Sequence, residues 1–191
     1  MTVAQDTVIR VNPGIWWVDS DLIFEGTGGH DNFALVGDGP CSRIALRNNA
    51  RVILRNLGRW SVSGIQIVKA SGSTPIDHML ILDNVSWGSM HNVLLDGFGL
   101  AAGIAASKCG GNKFSDLTIL DVSGLSASVR GIGMFFDQRL GNLDNKIHNV
   151  IMHPSASGLG DSMLCILGGT AGFFITNLDT NPPAGAWAID I

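Results

Sequence analysis

Five arginines recur at every fourth residue in one stretch of this sequence, and they are its most regular set of chemically capable side chains. They are Arg43, Arg47, Arg51, Arg55 and Arg59. No Asp or Glu lies between Asp38 and Asp77, so with Lys69 the stretch carries a charge of +6. A guanidinium group binds carboxylate and phosphate oxygens bidentately, and arginine is enriched at protein interfaces. The array therefore suggests recognition of an anionic partner.

The elements that hold these arginines are predicted to be two short strands. Residues 43–47 (RIALR) and 51–55 (RVILR) alternate so that the apolar pairs Ile44/Leu46 and Val52/Leu54 face one way and the arginines face the other. The residues between them, Asn48-Asn49, supply a turn. We expect two adjacent strands that present one outward basic patch.

Three interpretations of this patch are open. We favour contact with an acidic surface of a partner or of another subunit, because arginine pairs well with carboxylates. The second is a solvated face that the protein's own Asp residues neutralise. The third is nucleic acid or an anionic glycan, which the scarcity of interleaved aromatic residues and the net charge of −4 disfavour. We expect no nucleic-acid partner.

Carboxylate pairs could perform glycoside hydrolysis, which needs two such groups about 5 to 10 Å apart. Asp19 and Asp21 share a face if they lie on one strand, and Asp83 and Asp96 could meet on adjacent strands. However, an Asp follows an apolar triplet at Asp83, Asp96 and Asp121. That recurrence is typical of residues that end a strand, so we predict no catalytic residue.

The histidines and cysteines lack the spacing of metal ligands. The histidines are His30, His78, His91, His148 and His153, and the cysteines are Cys41, Cys109 and Cys165. We expect the histidines in turns or on the outer surface and the cysteines as buried free thiols. Residues 26–29 (GTGG) are not followed by a helix or by Gly-Lys-Ser/Thr, as a phosphate-binding loop would be. The sequence predicts no metal and no cofactor.

The composition excludes a helical protein. Glu, Lys and Gln together number 8, whereas Gly numbers 25 and Asn 13. A length of 191 residues with 46% hydrophobic residues fits one domain over residues 1–191. No apolar run of about 18 residues and no leader pattern occurs, so we expect neither a membrane span nor export by a signal peptide. The net charge divides into +6 for residues 39–76 and −10 for the rest.

A repeat of about 28 residues organises the chain. Residues 112–119 (NKFSDLTI) match residues 145–152 (NKIHNVIM) in character at every position. An apolar residue after Asn, Asp or Gly recurs at positions 33, 65, 93, 117, 150 and 178. A second series runs through Leu80, Ile104, Ile132, Met163 and Trp187. Two or three short strands per period favour the stacked coils of a solenoid over a propeller, and Asn or Asp at the strand entries predicts tight left-handed turns.

On these Asn-Lys-Phe/Ile-x-Asn/Asp-apolar repeats, residues 30–191 resemble the right-handed parallel β-helix proteins of the pectin-lyase-like superfamily, which include viral tailspike domains. The resemblance implies an all-β, single-stranded, right-handed parallel β-helix of about six coils. Residues 1–29 are interpreted as an N-terminal cap, whose bulky run at residues 15–18 (IWWV) covers the open end of the core. The catalytic clusters of the superfamily's pectin-cleaving members are missing, and residues 29–31 (GHD) are the nearest fragment.

Six coils at about 4.8 Å each give a solenoid about 30 Å long, which is short for a substrate-cleaving groove. The length of 191 residues also leaves no room for the particle-binding and trimerisation domains that tailspike enzymes add. We therefore expect a non-enzymatic virion structural protein, either a capsid-decorating (cement) or a tail-associated component. It would be made in the host cytoplasm, assemble as a homotrimer with its exposed last coil covered by a partner, and dock on other virion proteins through the basic patch.

The alternative is a small glycan-binding or polysaccharide-cleaving (lyase or hydrolase) β-helix, with a surface glycan as its partner. Its active site would lie on the outer face of the middle coils, near Asp83, Asp96, Asp116 or Asp121. Sugar platforms usually need exposed aromatic rings. Trp60 and Trp87 are the candidates, with core packing the favoured role for both.

Overall fold

The computed structural model describes residues 2, 6–27, 32–137, 139, 144–168 and 172–191. Within them the chain forms sixteen β-strands and one 3-10 helix, Gly39–Cys41. The strands are β1 (Thr7–Val11), β2 (Gly14–Val18), β3 (Leu22–Glu25), β4 (Asn32–Gly37), β5 (Ser42–Leu46), β6 (Val52–Arg55), β7 (Arg59–Lys69), β8 (Ile76–Asp83), β9 (Ser89–Asp96), β10 (Ala101–Ser107), β11 (Lys113–Val122), β12 (Met134–Asp137), β13 (Asn145–Pro154), β14 (Ser162–Leu167), β15 (Phe173–Thr180) and β16 (Trp187–Asp190). No helix in this part of the chain is long and apolar enough to cross a membrane.

The strands stack as a parallel solenoid, which confirms the predicted all-β fold of about six coils. A seven-stranded sheet has the order β3-β6-β8-β10-β12-β14-β16, and we call its outer surface the front face. A nine-stranded sheet has the order β1-β4-β7-β9-β11-β13-β15, with β2 and β5 alongside. This sheet is bent, because β4 pairs with the first half of β7 and β5 with the second half. The outer surface of β2, β5 and the second halves of the later strands is called the side face.

A left-handed residue makes the bend in each long strand. Gly64, Asn92, Asp116, Asn149 and Asn177 occupy equivalent positions on β7, β9, β11, β13 and β15, with φ from 51° to 63°. Asn149 Nδ2 donates to Asp116 Oδ1 at 2.6 Å, and Asn177 Nδ2 donates to Asn149 Oδ1 at 2.8 Å. Asn and Asp tolerate this conformation and bond to their neighbours, so their predicted turn role is confirmed.

The interior consists of columns of apolar side chains, one from each layer. Most of the first predicted series is in register: it runs through Ile65, Val93, Leu117, Val150 and Leu178. Phe33 does not belong to it, because Phe33 pairs with Thr7 and Trp60. In that layer the chain bends through a segment that includes the 3-10 helix, so the local period differs from the later layers.

The second predicted series is correct only at its start. Leu80 and Ile104 are register partners. Their column continues through Met134, Leu164 and Ile189, where the sequence pattern predicted Ile132, Met163 and Trp187. Several apolar residues follow one another in these strands. A shift of one residue moves every side chain to the other face of the sheet, but in an apolar run either register would place an apolar residue inside, so the pattern does not define the register.

Residues 7–25 form the first layer of the solenoid, so the predicted cap over residues 1–29 is wrong for this segment. The strands β1, β2 and β3 pair in parallel with β4, β5 and β6. Trp16 is the register partner of the buried Ile44 and takes a core position, yet 51% of it is exposed because it lies in the outermost layer. The core-facing Ile189 of the last described layer is likewise 41% exposed.

Candidate docking surfaces

The predicted arginines divide between two faces of the solenoid. The strands β5 and β6 form as predicted, with their apolar pairs buried and a turn at Asn48-Asn49. However, β5 belongs to the nine-stranded sheet and β6 to the seven-stranded sheet, so the chain turns a corner between them. The prediction that adjacent strands present one patch is therefore wrong. The arginines at 43 and 47 border the side face, those at 51 and 55 border the front face, and Arg59 begins β7.

Arg51 and Arg55 form ion pairs with carboxylates of their own chain. Arg51 Nη2 lies 3.4 Å from Asp21 Oδ2, and the Arg51 backbone N–H donates to Asp21 Oδ1 at 3.0 Å. Arg55 Nε lies 3.2 Å from Asp83 Oδ2. These two arginines therefore fit the second interpretation, in which the protein neutralises its own charge.

An apolar column, which we call the apolar stripe, runs along the front face between these ion pairs. It consists of Ile23, Ile53, Ile81, Ala105 and Phe135, in register on β3, β6, β8, β10 and β12. Their neighbours along each strand fill the core, so the stripe points away from it. Ile53 is 6% exposed because the residues beside it in the stripe cover it, and the other four are partly exposed.

A cleft of about 530 Å³, which we call the basic cleft, opens on the side face. Ala45 and Val68, which are register partners on β5 and β7, form its floor. Its walls carry apolar rings and cationic groups from four separate segments. They include Ile15, Trp17, Arg43, Arg47, Lys69 and Phe98.

Two guanidinium groups are held in place in the basic cleft. Arg43 Nε donates to Gln66 Oε1 at 2.9 Å, which leaves the terminal amino groups of Arg43 available for a ligand. The Arg47 guanidinium lies 4.1 Å from the centre of the Trp17 ring, a cation–π contact. Arg47 Nη1 is also 3.7 Å from Asp19 Oδ1, but the Asp19 side chain is 61% exposed, so the pair is weak.

Lys69 borders the basic cleft, but its side chain points to the interior, since its register partner is the core residue Leu46. The residue is fully buried, and its Nζ donates to the backbone carbonyl of Asn48 in the turn after β5. Burial lowers the pKa of this ammonium. Lys69 forms no ion pair within the part of the chain that the structure describes. The sequence shows the charge of Lys69 but not its contact with Asn48, because strand alternation does not show which side chain reaches a neighbouring turn.

Among the described residues, two exposed aromatic residues have left-handed backbone conformations. Phe98, in the basic cleft, has φ 52° and is 50% exposed, and Trp87 has φ 53° and is 75% exposed. This conformation costs a bulky residue about 1 to 3 kcal/mol, and such strain concentrates at functional sites. Trp60, the other tryptophan considered as a sugar platform, is 4% exposed and belongs to the core.

The carboxylates considered for glycoside cleavage are bonded to different groups of the protein. Asp83 is ion-paired, and Asp116 accepts from Asn149. Burial, followed by the charge of Asp121, raises the pKa of Asp96, while a hydrogen bond from the Phe98 N–H lowers it. In the described residues no group of three or more His, Cys, Asp or Glu could hold a metal ion.

Two predictions about single residues are wrong. His78 is buried at 7% exposure instead of lying in a turn or on the surface, and Cys41 is exposed, whereas Cys109 and Cys165 are buried free thiols as predicted. The exposure of His78 and of Cys41 depends on contacts between layers, which the local sequence does not show. Residues 29–31 (GHD), including His30, lie outside the described residues.

Comparisons of this chain with protein-family models, with curated proteins and with solved structures found no match.

Proposed function

We propose that this protein is a non-enzymatic structural component of a virion, capsid-decorating or tail-associated, that assembles as a homotrimer and docks on other virion proteins. The apolar stripe carries the proposal, because a flat apolar column with arginines at its rim has the composition of a protein interface. The virion and the trimer rest on the resemblance of the Asn-Lys repeats to viral, right-handed, pectin-lyase-like β-helices.

A second copy of this chain is the partner that fits the apolar stripe best. The ion pairs Arg51–Asp21 and Arg55–Asp83 already neutralise the charges beside it, so a copy approaching this face meets little repulsion. The basic cleft, by contrast, would repel its own copy. Apolar contacts need no matching pattern of charges, so the stripe can meet the same surface of other copies around a threefold axis, as a closed homotrimer allows.

Mass measurement by size-exclusion chromatography with light scattering tests the assembly. The wild type is expected to be a trimer, and Ile81→Asp is expected to be a folded monomer, because Ile81 is partly exposed in the single chain and the new carboxylate would be buried only in the contact. Ile151→Asp is the matched control, since Ile151 also points outward but lies on the side face. A monomeric wild type, or an Ile81→Asp variant that keeps the wild-type mass, would reject the assembly through this stripe.

The genomic neighbourhood of the coding region tests the virion placement independently. Genes for virion assembly on either side support it. Genes for polysaccharide uptake or breakdown would favour the glycan alternative.

A glycan-binding role is the second candidate, and the exposed ring of Trp87 favours it. This ring borders a groove of about 610 Å³ whose lining also includes Asp144, Lys146 and Phe174. Phe174 is 66% exposed, and it lies beside Lys146 on the neighbouring strand. An aromatic ring with polar side chains around it suits the apolar faces and hydroxyl edges of sugars.

Binding to a glycan panel separates this candidate from the first. Trp87→Asn should abolish binding while the fold stays intact, because Asn tolerates the left-handed conformation. Phe98→Asn, which makes the same change at the other exposed left-handed aromatic, is the control. Absence of binding by the wild type rejects this role, and release of reducing or unsaturated sugar ends would extend it from binding to cleavage.

A further inference from the structure

We infer that the basic cleft binds an acidic, partly apolar segment of a partner protein, with a carboxylate between Arg43 and Arg47 and an apolar side chain between Trp17 and Phe98. The inference deepens the docking part of the proposed function and does not depend on self-association. It also narrows the predicted patch of five arginines to the two that border this cleft.

The charge of the cleft selects an anion. Arg43 and Arg47 contribute its cationic groups, because Lys69 is fully buried and its ammonium donates to the Asn48 carbonyl. The Asp19 side chain is 61% exposed, so its pair with Arg47 is weak, and Asp96 forms no ion pair within the described residues. Arg43 is already anchored through Nε, so its terminal amino groups can meet a carboxylate with little further loss of side-chain freedom.

The apolar lining selects a protein segment over a free ion. Ala45 and Val68 give a smooth apolar floor, and Trp17, Ile15 and Phe98 rise beside it, each 50 to 52% exposed. A small inorganic anion would leave these side chains in water. A carboxylate next to an aliphatic side chain satisfies both halves of the cleft, and Trp and Arg are the residues that dominate binding energy at protein interfaces.

Phe98 borders the basic cleft in a strained backbone conformation. Its left-handed backbone is held by a hydrogen bond from its own N–H to Asp96 Oδ1 at 3.0 Å, between Gly97 and Gly99. Asn or Gly would occupy this turn at a lower conformational cost. The sequence instead places a half-exposed ring there, facing the cationic wall of the cleft across the Ala45–Val68 floor.

Fluorescence anisotropy with a labelled peptide of alternating Glu and Leu tests the inference on the full chain. An alternating Lys and Leu peptide reports charge selectivity, and a short single-stranded DNA reports a nucleic-acid ligand. Arg43→Gln is expected to lower the affinity for the acidic peptide about tenfold, as loss of a charge-assisted contact does. Phe98→Asn is expected to lower the same affinity about fivefold while the fold is retained.

Arg130→Gln is the matched control, because it removes the same charge from an arginine paired with Asp161, outside the cleft. Its affinity should equal that of the wild type. Equal affinity of Arg43→Gln and the wild type, no preference for the acidic peptide over the basic one, or tighter binding of DNA would each overturn the inference. Light scattering on the same samples reports assembly separately, so failure of the cleft and failure of the trimer are distinguished.

Discussion

Asn112 Oδ1 accepts a hydrogen bond from the indole N–H of Trp60 at 3.0 Å, although 52 residues separate the two in the sequence. The same oxygen accepts from the Gly88 N–H at 2.9 Å, and Asn112 Nδ2 donates to Val85 O at 3.2 Å and to Asn145 Oδ1 at 3.1 Å. Asn112 is 1% exposed, so a single buried amide joins successive layers of the solenoid.

Replacing Asn112 by Ala should lower the free energy of unfolding by about 3 kcal/mol or more. The change leaves the Trp60 and Gly88 N–H groups without an acceptor in the interior, and each buried unsatisfied group costs about 1 to 3 kcal/mol. Urea denaturation followed by tryptophan fluorescence measures the loss. Asn181→Ala, at an exposed position, is the control. A loss below about 1 kcal/mol for Asn112→Ala would show that water or a rearrangement replaces the amide.

The asparagine repeats could be predicted as structural from the sequence, but their inward network could not. The match between residues 112–119 and 145–152 places both segments in register, and the pairs from Lys113–Lys146 to Ile119–Met152 confirm it. Turn preferences are local and appear in a single sequence. The contact between Asn112 and Trp60 depends on how two intervening turns of chain place the layers, which no local pattern contains.

Trp87→Asn should stabilise the protein by about 1 kcal/mol. The ring is 75% exposed, so little buried area is lost, while Asn adopts the left-handed conformation at lower cost. Thermal denaturation should show a raised Tm, and Trp87→Phe should leave it unchanged because the strain stays. A lower Tm for Trp87→Asn would mean that the packing of the ring over Gly111 contributes more than the backbone strain costs.

The candidate docking surfaces could be predicted only in part, because strand periodicity is local in the sequence whereas the stacking of layers is not. Alternation correctly predicted that Ile44, Leu46, Val52 and Leu54 face inward, since strand periodicity is local. It did not show that the turn at Asn48-Asn49 carries the chain from one sheet to the other. The basic cleft also needs Trp17 from the first layer and Phe98 from the fourth, so its aromatic walls come from stacking that the arginine spacing does not reveal.

Protonation of His78 should make the protein less stable as the pH falls from about 6.5 towards 4. Burial lowers the pKa of His78 to about 4, partly offset by a hydrogen bond with Gly131 and the charge of Asp77. The folded-state pKa lies below the unfolded value, so the stability is fully present above about pH 6.5 and is lost as the pH falls to the folded pKa. The full loss amounts to about 3 kcal/mol.

Urea denaturation at several pH values in this window measures that loss. His78→Gln should flatten the pH dependence, and His91→Gln, at an exposed histidine, should leave it as in the wild type. An identical pH profile for wild type and His78→Gln would assign the dependence to other groups.

The three thiols should differ sharply in their reactivity towards a disulfide reagent at mildly alkaline pH. Burial raises the pKa of Cys109 to about 12 and that of Cys165 to about 11, with Asp190 also raising the latter. Only the thiolate is nucleophilic, so both should stay unreactive in the folded protein, while the exposed Cys41 reacts quickly. We expect one fast equivalent in the native state and three in denaturant. Cys41→Ser should remove the fast phase and Cys109→Ser should not, and a second fast thiol in the native protein would mean that the solenoid opens locally at Cys109 or Cys165.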